Sequence, residues 1–421
     1  MIFSSLDLAP AIQKALDVCG YTEMTPIQEQ AIIPARRGKD LLAIAQTGTG
    51  KTAAFSIPIL QQMVNTPRNA DNKNPRALIL TPTRELAEQL ASTIGQYAQY
   101  LDFMVTAVYG GRKLAGQANK LKAGVDILIA TPGRLLEHIN ECNVDLANIE
   151  FVVLDEADRM LDMGFVTAVE SLLKLTPKQR QTLLFSATLS NNVTQLSKKL
   201  LRNHQNIRVS KEVVTAETIQ HVLYSVEEDQ KIDLFLELLE EYNWYQVLVF
   251  TATKDQASEL MKKLKSYPAT VIHGDKSQGF RRRALAEFKT AKIQILVSTE
   301  IAARGLDIQG LDYVVNFNLP YLAEDYVHRI GRAGRAGQKG HAISFVSPQE
   351  ERNLDAIQRL IGHKIKRLKR SGYELSNTKS LIRNFDGNKK GRDNRANQHS
   401  NKSGQPTSLS YKGRKKSKKE K

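Results

Sequence analysis

Between Asp40 and Leu60 the chain passes from an apolar stretch through a glycine-bearing loop into a helical pattern, and few folds accommodate that order. Asp40-Leu41-Leu42-Ala43-Ile44 is short and apolar, which predicts a strand covered on both faces. It runs into Ala45-Gln46-Thr47-Gly48-Thr49-Gly50-Lys51-Thr52, and a helix is expected from Thr52 to Leu60. The usual phosphate-loop pattern begins with glycine, and Ala45 stands there, so the strict pattern is missed by one residue. The physics survives the change. Gly48 and Gly50 let backbone N–H groups close around phosphate oxygens, Lys51 supplies a point charge, and the Thr52 hydroxyl can ligate Mg²⁺. The N-terminus of the following helix adds partial positive charge.

Phe151-Val152-Val153-Leu154 is a second buried-strand pattern, followed at once by Asp155-Glu156-Ala157-Asp158. Carboxylates thus emerge where the chain leaves the sheet at its carboxyl end, the edge at which open α/β sheets bind ligands. Asp155 is placed to hold Mg²⁺ directly or through water, and Glu156 to orient or deprotonate an attacking water. The strand pattern Gln181 to Phe185 ends at Ser186-Ala187-Thr188, which is expected to bring two hydroxyls within reach of Asp158.

Three further strand patterns end in similar chemistry. Arg76 to Leu80 leads to Thr81-Pro82-Thr83-Arg84-Glu85, Val105 to Tyr109 to Gly110-Gly111-Arg112, and Val125 to Ala130 to Thr131-Pro132-Gly133-Arg134. In a parallel sheet these ends share one edge. Hydroxyls, open N–H groups and arginines hold a phosphodiester backbone without reading bases.

Ahead of the loop, Leu8 to Val18 has amphipathic spacing and stops at Gly20. Thr25 before Pro26 predicts a helix cap followed by proline at the first helical position. Gln28 would lie in the first turn, where its amide offers the donor and acceptor that an adenine edge requires.

Apolar patterning thins from Leu201 to Thr218, and a linker is expected at 209–218. A second α/β run follows. Gln246 to Phe250 leads to Thr253; Ala269 to Ile272 leads to His273, Gln278 and Arg281; Lys292 to Val297 leads to Thr299, Glu300 and Asp307. Tyr313 to Phe317 is expected as the last central strand. In Tyr326-Val327-His328-Arg329-Ile330-Gly331-Arg332-Ala333-Gly334-Arg335, the spacing puts Arg332 and Arg335 on one helical face. This half has no glycine-lysine loop of its own, so a nucleotide held by the first half would meet those arginines from across a cleft.

A formal charge of +16 favours a polyanionic partner. Residues 382–421 hold thirteen Lys/Arg against three Asp/Glu and show no apolar period, the pattern of a disordered basic tail that binds polyanions without sequence preference. The two cysteines, Cys19 and Cys142, lie far apart and support neither a disulfide framework nor a zinc site. No signal peptide and no run of the ~20 apolar residues that span a bilayer is seen, so a cytoplasmic monomer with no membrane contact is expected.

These blocks resemble the DEAD-box RNA helicases of superfamily 2, in family order over about residues 1–370. Within that family the chain is most similar to the bacterial RhlE-type subgroup. The resemblance implies two tandem RecA-like parallel-sheet domains: a glutamine-motif segment at 1–29, an ATP-binding domain at 30–208, a linker at 209–218 and a C-terminal domain at 219–372. It implies that Tyr21 stacks on adenine and Gln28 reads it. Ala45 to Thr52 then cradle the triphosphate, Ala at the first position included, and Asp307 contacts the ribose. It implies RNA contacts at Thr83, Arg84, Gly110, Gly111, Thr131, Gly133, Arg134, Thr253, Gln278, Arg281 and Thr299. It assigns catalysis to Lys51, Asp155, Glu156, Arg332 and Arg335, metal binding to Thr52 and Asp155, and coupling to Asp158, Ser186, Thr188 and His328. Glu300 departs from the family's usual Asp, and Ala333 from a frequent Thr.

The implied activity is RNA-stimulated hydrolysis of ATP with Mg²⁺, coupled to local, non-processive unwinding of RNA duplexes. Ribosomal precursors and the RNA-decay machinery are the candidate partners. An ATP-gated RNA clamp that rarely unwinds would use nearly the same residues, and separation of a short blunt duplex discriminates the two. A translocating DNA helicase would instead be stimulated as strongly by DNA as by RNA.

Overall fold

The computed structural model describes residues 1–45, 48–67, 72–209, 219–242, 244–300, 308, 310–334, 340–373 and 375. The expected linker, beyond Val209, and the basic segment 382–421 lie outside these residues.

The short apolar runs become strands in two sheets. In the first half they are β1 (Leu41–Ile44), β2 (Ala77–Leu80), β3 (Val105–Val108), β4 (Ile127–Ala130), β5 (Phe151–Leu154), β6 (Gln181–Ser186) and β7 (Gln205–Arg208). All pair in parallel, in the order β3-β4-β2-β5-β6-β1-β7. β2, β4 and β5 are buried at every position, as a sheet with helices on both faces requires.

The second half supplies β8 (Ile219–Ser225), β9 (Val247–Thr251), β10 (Ala269–Ile272), β11 (Ile295–Thr299), β12 (Tyr313–Asn316), β13 (Gly340–Val346) and β14 (Lys366–Leu368). These are also all parallel, in the order β10-β11-β9-β12-β13-β8-β14. Counted from the first strand of each half, the two orders are the same. The chain therefore uses one topology twice, and only the first copy carries the glycine-lysine loop.

The order positions the chemistry. Across the first sheet, carboxyl ends run from Gly110 (after β3) through Thr131 (β4), Thr83 (β2), Asp155 (β5) and Ser186 (β6) to Ala45 (β1). The hydroxyl, glycine and arginine ends lie together on one flank. The phosphate loop lies toward the other, with the acids between them.

Several sequence expectations are corrected. The helix after the loop runs Lys51–Asn65, beyond Leu60, because Pro58 is tolerated inside it while Leu60 and Met63 pack into the core. β12 is not the last central strand, since β13 lies between it and β8. Gly340, His341 and Ser344 interrupt the apolar run of β13 and hide it from pattern reading. β7 and β14 are edge strands that expose Gln205, Asn206, Arg208, Lys366 and Arg367, so their composition resembles a loop. The helix Ala323–Ile330 stops at Gly331, so Arg332 lies in a turn beyond it and not on a helical face, while Arg335 lies outside the described residues. Among the described residues no helix is long and apolar enough to cross a membrane.

Candidate functional site

The N-terminal segment folds onto the phosphate loop. Tyr21 is held edge-on between Phe3 and Tyr97, with ring centroids 5.4 and 5.6 Å away and its hydroxyl 2.6 Å from that of Tyr97. Gln28, 1% exposed, accepts from the Thr25 N–H at 2.8 Å and donates to the Gly50 carbonyl at 3.1 Å. The Thr25 hydroxyl donates to the Thr49 carbonyl at 2.7 Å. The amide expected to face adenine is thus tied to the loop's own backbone. By count it keeps one N–H and one lone pair for a ligand.

Gly48 and Gly50 have φ of +80° and +94°, the left-handed region that glycine adopts without penalty. Ala45 is buried, and its N–H donates to the Ser186 carbonyl at 2.9 Å. Gln46 and Thr47 lie outside the described residues. Lys51 opens the following helix, 7% exposed, and its ammonium is enclosed without a hydrogen-bond partner. A buried ammonium with no partner is costly. An ammonium so placed, at a helix N-terminus behind Gly48 and Gly50, suits an anionic ligand such as a triphosphate. Thr52, beside Lys51, is half-buried.

Asp155 ends β5 at 4% exposure. Burial, with Glu156 and Asp158 nearby, pushes its carboxyl up to about 6, against the pull of the Lys51 ammonium. A carboxylate so disfavoured in its charged form gains from a cation, so the donor set fits Mg²⁺ beside Thr52. Glu156 adopts φ +53°, a left-handed backbone that is strained for a non-glycine residue and typical of functional turns.

Asp158 faces β6 and accepts from the Ala187 N–H at 3.1 Å, the Thr188 N–H at 2.9 Å and the Thr188 hydroxyl at 3.0 Å. One hydroxyl reaches it, not the two expected. Ser186 turns its hydroxyl to the Thr188 carbonyl, 2.7 Å away, because the tight turn after β6 offers that acceptor first.

On the other flank Thr83 caps the helix Arg84–Tyr97, accepting from the Leu86 N–H. Arg84 packs on Gly110 and Gly111: a Cβ on Gly111, whose φ is +79°, would lie 2.0 Å from the guanidinium. Thr131 stands at the N-cap position of the helix Pro132–Asn140 without a side-chain cap bond, Gly133 borders open space, and Arg134 donates to the Arg112 carbonyl at 3.2 Å.

From the second half, Thr253 caps the helix Lys254–Lys263 and Thr299 ends β11. Gln278 is 8% exposed, with both amide atoms enclosed and unpartnered. Arg281 forms an ion pair with Glu85 at 2.9 Å, and Arg282 lies 4.0 Å from Glu88. The basic helix Gln278–Lys289 thus meets the Thr83-Arg84-Glu85 turn, and Arg281 engages a carboxylate of the first half. Arg332 donates to the Ile308 carbonyl at 3.5 Å, and His328 is half-buried on Ala323–Ile330. Asp307 and Arg335 lie outside the described residues.

Sequence reasoning missed two arginines. Arg329, 3% exposed, binds Glu300 at 2.5 Å, the Asn316 side chain at 3.2 Å and the Asn318 carbonyl at 2.7 Å, with its guanidinium over Phe250. Glu300, which departs from the family's usual Asp, thus serves here as the counter-ion of Arg329. Arg159, 4% exposed, lies 3.6 Å from Glu156 and 3.8 Å from Asp325 of the second half. An arginine three residues after a glutamate resembles an ordinary surface pair, so nothing local marked it.

Residues 25–196 match the DEAD/DEAH box helicase family, and residues 230–337 match the helicase conserved C-terminal domain. The chain is 40% identical over 369 residues to the DEAD-box ATP-dependent RNA helicase CshA of Bacillus subtilis (strain 168), covering 87% of this chain and 74% of that protein. It is similar to the solved structure of S. cerevisiae Dbp5 bound to RNA and ADP BeF3, with 32% identity, a TM-score of 0.77, and coverage of 87% of this chain and 95% of that one. A Dbp5 variant bound to nup159, gle1, ip6 and adp is 30% identical, with a TM-score of 0.57 and coverage of 87% and 96%.

Proposed function

The chain belongs to the DEAD-box family of ATP-dependent RNA helicases, and from that premise we propose how its own residues divide the work. Lys51, Gly48 and Gly50 hold the triphosphate, and Tyr21 and Gln28 hold the base. Thr52 and Asp155 hold Mg²⁺, which when bound offsets charge on the phosphates. Glu156 receives the proton of the attacking water. Arg332 and Arg335 reach the phosphates from the second lobe, and Asp307 takes the ribose. The turn residues Thr83, Arg84, Gly110, Gly111, Thr131, Gly133 and Arg134, with Thr253, Gln278, Arg281 and Thr299, grip the RNA backbone and its 2′-hydroxyls. Asp158, Ser186, Thr188 and His328 couple the two ligands. Closure bends the held strand, and a short duplex loses its partner locally without processive movement.

The observation that carries this reading is the enclosed ammonium of Lys51, without a hydrogen-bond partner, at the end of a loop whose Gly48 and Gly50 adopt positive φ. Two further observations support it. Ion pairs join the lobes on the backbone-gripping flank. The likeness is also greater to Dbp5 with RNA and ADP BeF3 than to a Dbp5 variant with nup159, gle1, ip6 and adp.

Glu156→Gln tests the assignment. ATP and RNA binding should persist while turnover falls by roughly 10²–10⁴-fold. RNA-stimulated turnover at the wild-type rate would rule Glu156 out as the base.

A further inference from the structure

Arg159 is enclosed between two carboxylates that belong to different lobes. Its Nε lies 3.6 Å from Glu156 Oε2 and its Nη1 3.8 Å from Asp325 Oδ1, within ion-pair reach but beyond hydrogen-bond length. Glu156 Oε2 and Arg159 Nη1 are both fully enclosed and make no hydrogen bond. The two side chains on the first lobe are 5% and 7% exposed, and that of Asp325 is 11% exposed. Asp325 sits in the first turn of Ala323–Ile330, the helix that leads into Arg332.

A guanidinium and a carboxylate in so dry a place should close into a bidentate pair. Here the fork stands off both carboxylates, at 3.6 Å from Glu156 and 3.8 Å from Asp325. We propose that Arg159 is a positioning residue that couples lobe closure to the Glu156 carboxylate through Asp325. With the lobes apart, Asp325 is gone and the guanidinium closes on Glu156. Both oxygens of that carboxylate then accept from the guanidinium, which lowers its affinity for a proton from water. With the lobes together, Asp325 shares the guanidinium and an oxygen of Glu156 is released. The base is thereby withheld until the polynucleotide has brought the second lobe in, which prevents hydrolysis without RNA. The proposal rests on the reading of Glu156 as the proton acceptor.

Two variants and one distance measurement test it. Arg159→Gln should raise RNA-independent turnover about tenfold, because the restraint on the base is lost. Asp325→Asn should lower RNA-stimulated kcat about tenfold with little change in KM for ATP, and adding Arg159→Gln should restore much of that loss. Arg159→Lys, which keeps the charge and the burial but not the fork, should fall between wild type and Arg159→Gln, and it serves if Gln disturbs folding. Interlobe distance is read by energy transfer between dyes on Cys142 and on Lys262→Cys, both exposed, in a Cys19→Ser background. In Asp325→Asn, RNA with a non-hydrolysable ATP analogue should still close the lobes, since Arg281–Glu85 and Arg282–Glu88 remain. The proposal is overturned if Arg159→Gln and Arg159→Lys both leave RNA-independent turnover at the wild-type rate. It is also overturned if Asp325→Asn loses closure in proportion to turnover, which would make the contact simple interlobe adhesion. Glu156→Gln separates the two layers: wild-type turnover there defeats the underlying assignment, whereas lost turnover with unresponsive Arg159 variants defeats only the coupling.

Discussion

A methyl group on Gly50 would sit 2.3 Å from Gln28 Nε2, on a backbone with φ +94°. Gly50→Ala should therefore cost about 2 kcal/mol in thermal unfolding and weaken ATP binding, since the glutamine and the loop must both move. His273 offers a separate residue-scale test. It is 6% exposed, and neither ring nitrogen has a partner. Burial first, then the Lys276 charge, holds its imidazole below the usual range. A lowered folded-state value means that its stabilising contribution is present above about pH 6.5 and lost as pH falls through that range. His273→Gln should flatten the decline of melting temperature between about pH 7 and pH 5; an unchanged slope would refute the assignment. Residues whose chemistry follows from local spacing, such as Gly50, Lys51 and Asp155, were legible in the sequence. Arg159 was not, because its second carboxylate, Asp325, comes from another lobe, and no local pattern encodes that distance.

At the scale of elements, two carboxylates fasten turns that the site depends on. Asp158 collects three hydrogen bonds from Ala187 and Thr188 and so joins the turn after β5 to the turn after β6. The sequence placed both turns at one sheet edge, but it could not tell that Ser186 would bond within its own turn instead. Glu300 neutralises Arg329 where β11 and β12 end and Ala323–Ile330 packs. Glu300→Ala strands a buried guanidinium and should cost roughly 3–5 kcal/mol by chemical unfolding. Glu300→Asp should cost less, because the shorter side chain still offers charge. Equal losses in the two variants would show that packing, not charge, decides the site.

Across the whole molecule, one strand order serves twice with opposite outcomes at the first helix. In the first lobe Lys51 opens the helix after β1, enclosed and without a hydrogen-bond partner. In the second lobe Lys231 opens the helix that follows β8 and a short 3-10 turn, fully buried and ion-paired to Glu228 at 2.7 Å and Glu350 at 2.6 Å. Carboxylates of the chain thus hold Lys231, whereas no hydrogen-bond acceptor among the described residues holds Lys51. Lys51→Met should thus abolish nucleotide binding with no loss of melting temperature, whereas Lys231→Met should lose roughly 3 kcal/mol of stability by leaving its carboxylates unpaired. The two α/β halves were legible in the sequence, but their identical strand order was not, because β7 and β14 expose polar edges and β13 interrupts its apolar run with Gly340, His341 and Ser344. The central claim is that one triphosphate shared by two lobes shuts them on a polynucleotide. It is tested most directly by RNA affinity measured with and without a non-hydrolysable ATP analogue, in wild type and in Arg332→Gln. The account predicts that the analogue tightens RNA binding in wild type, and that Arg332→Gln abolishes the tightening while still binding the analogue. RNA affinity that is the same with and without the analogue in wild type would contradict it.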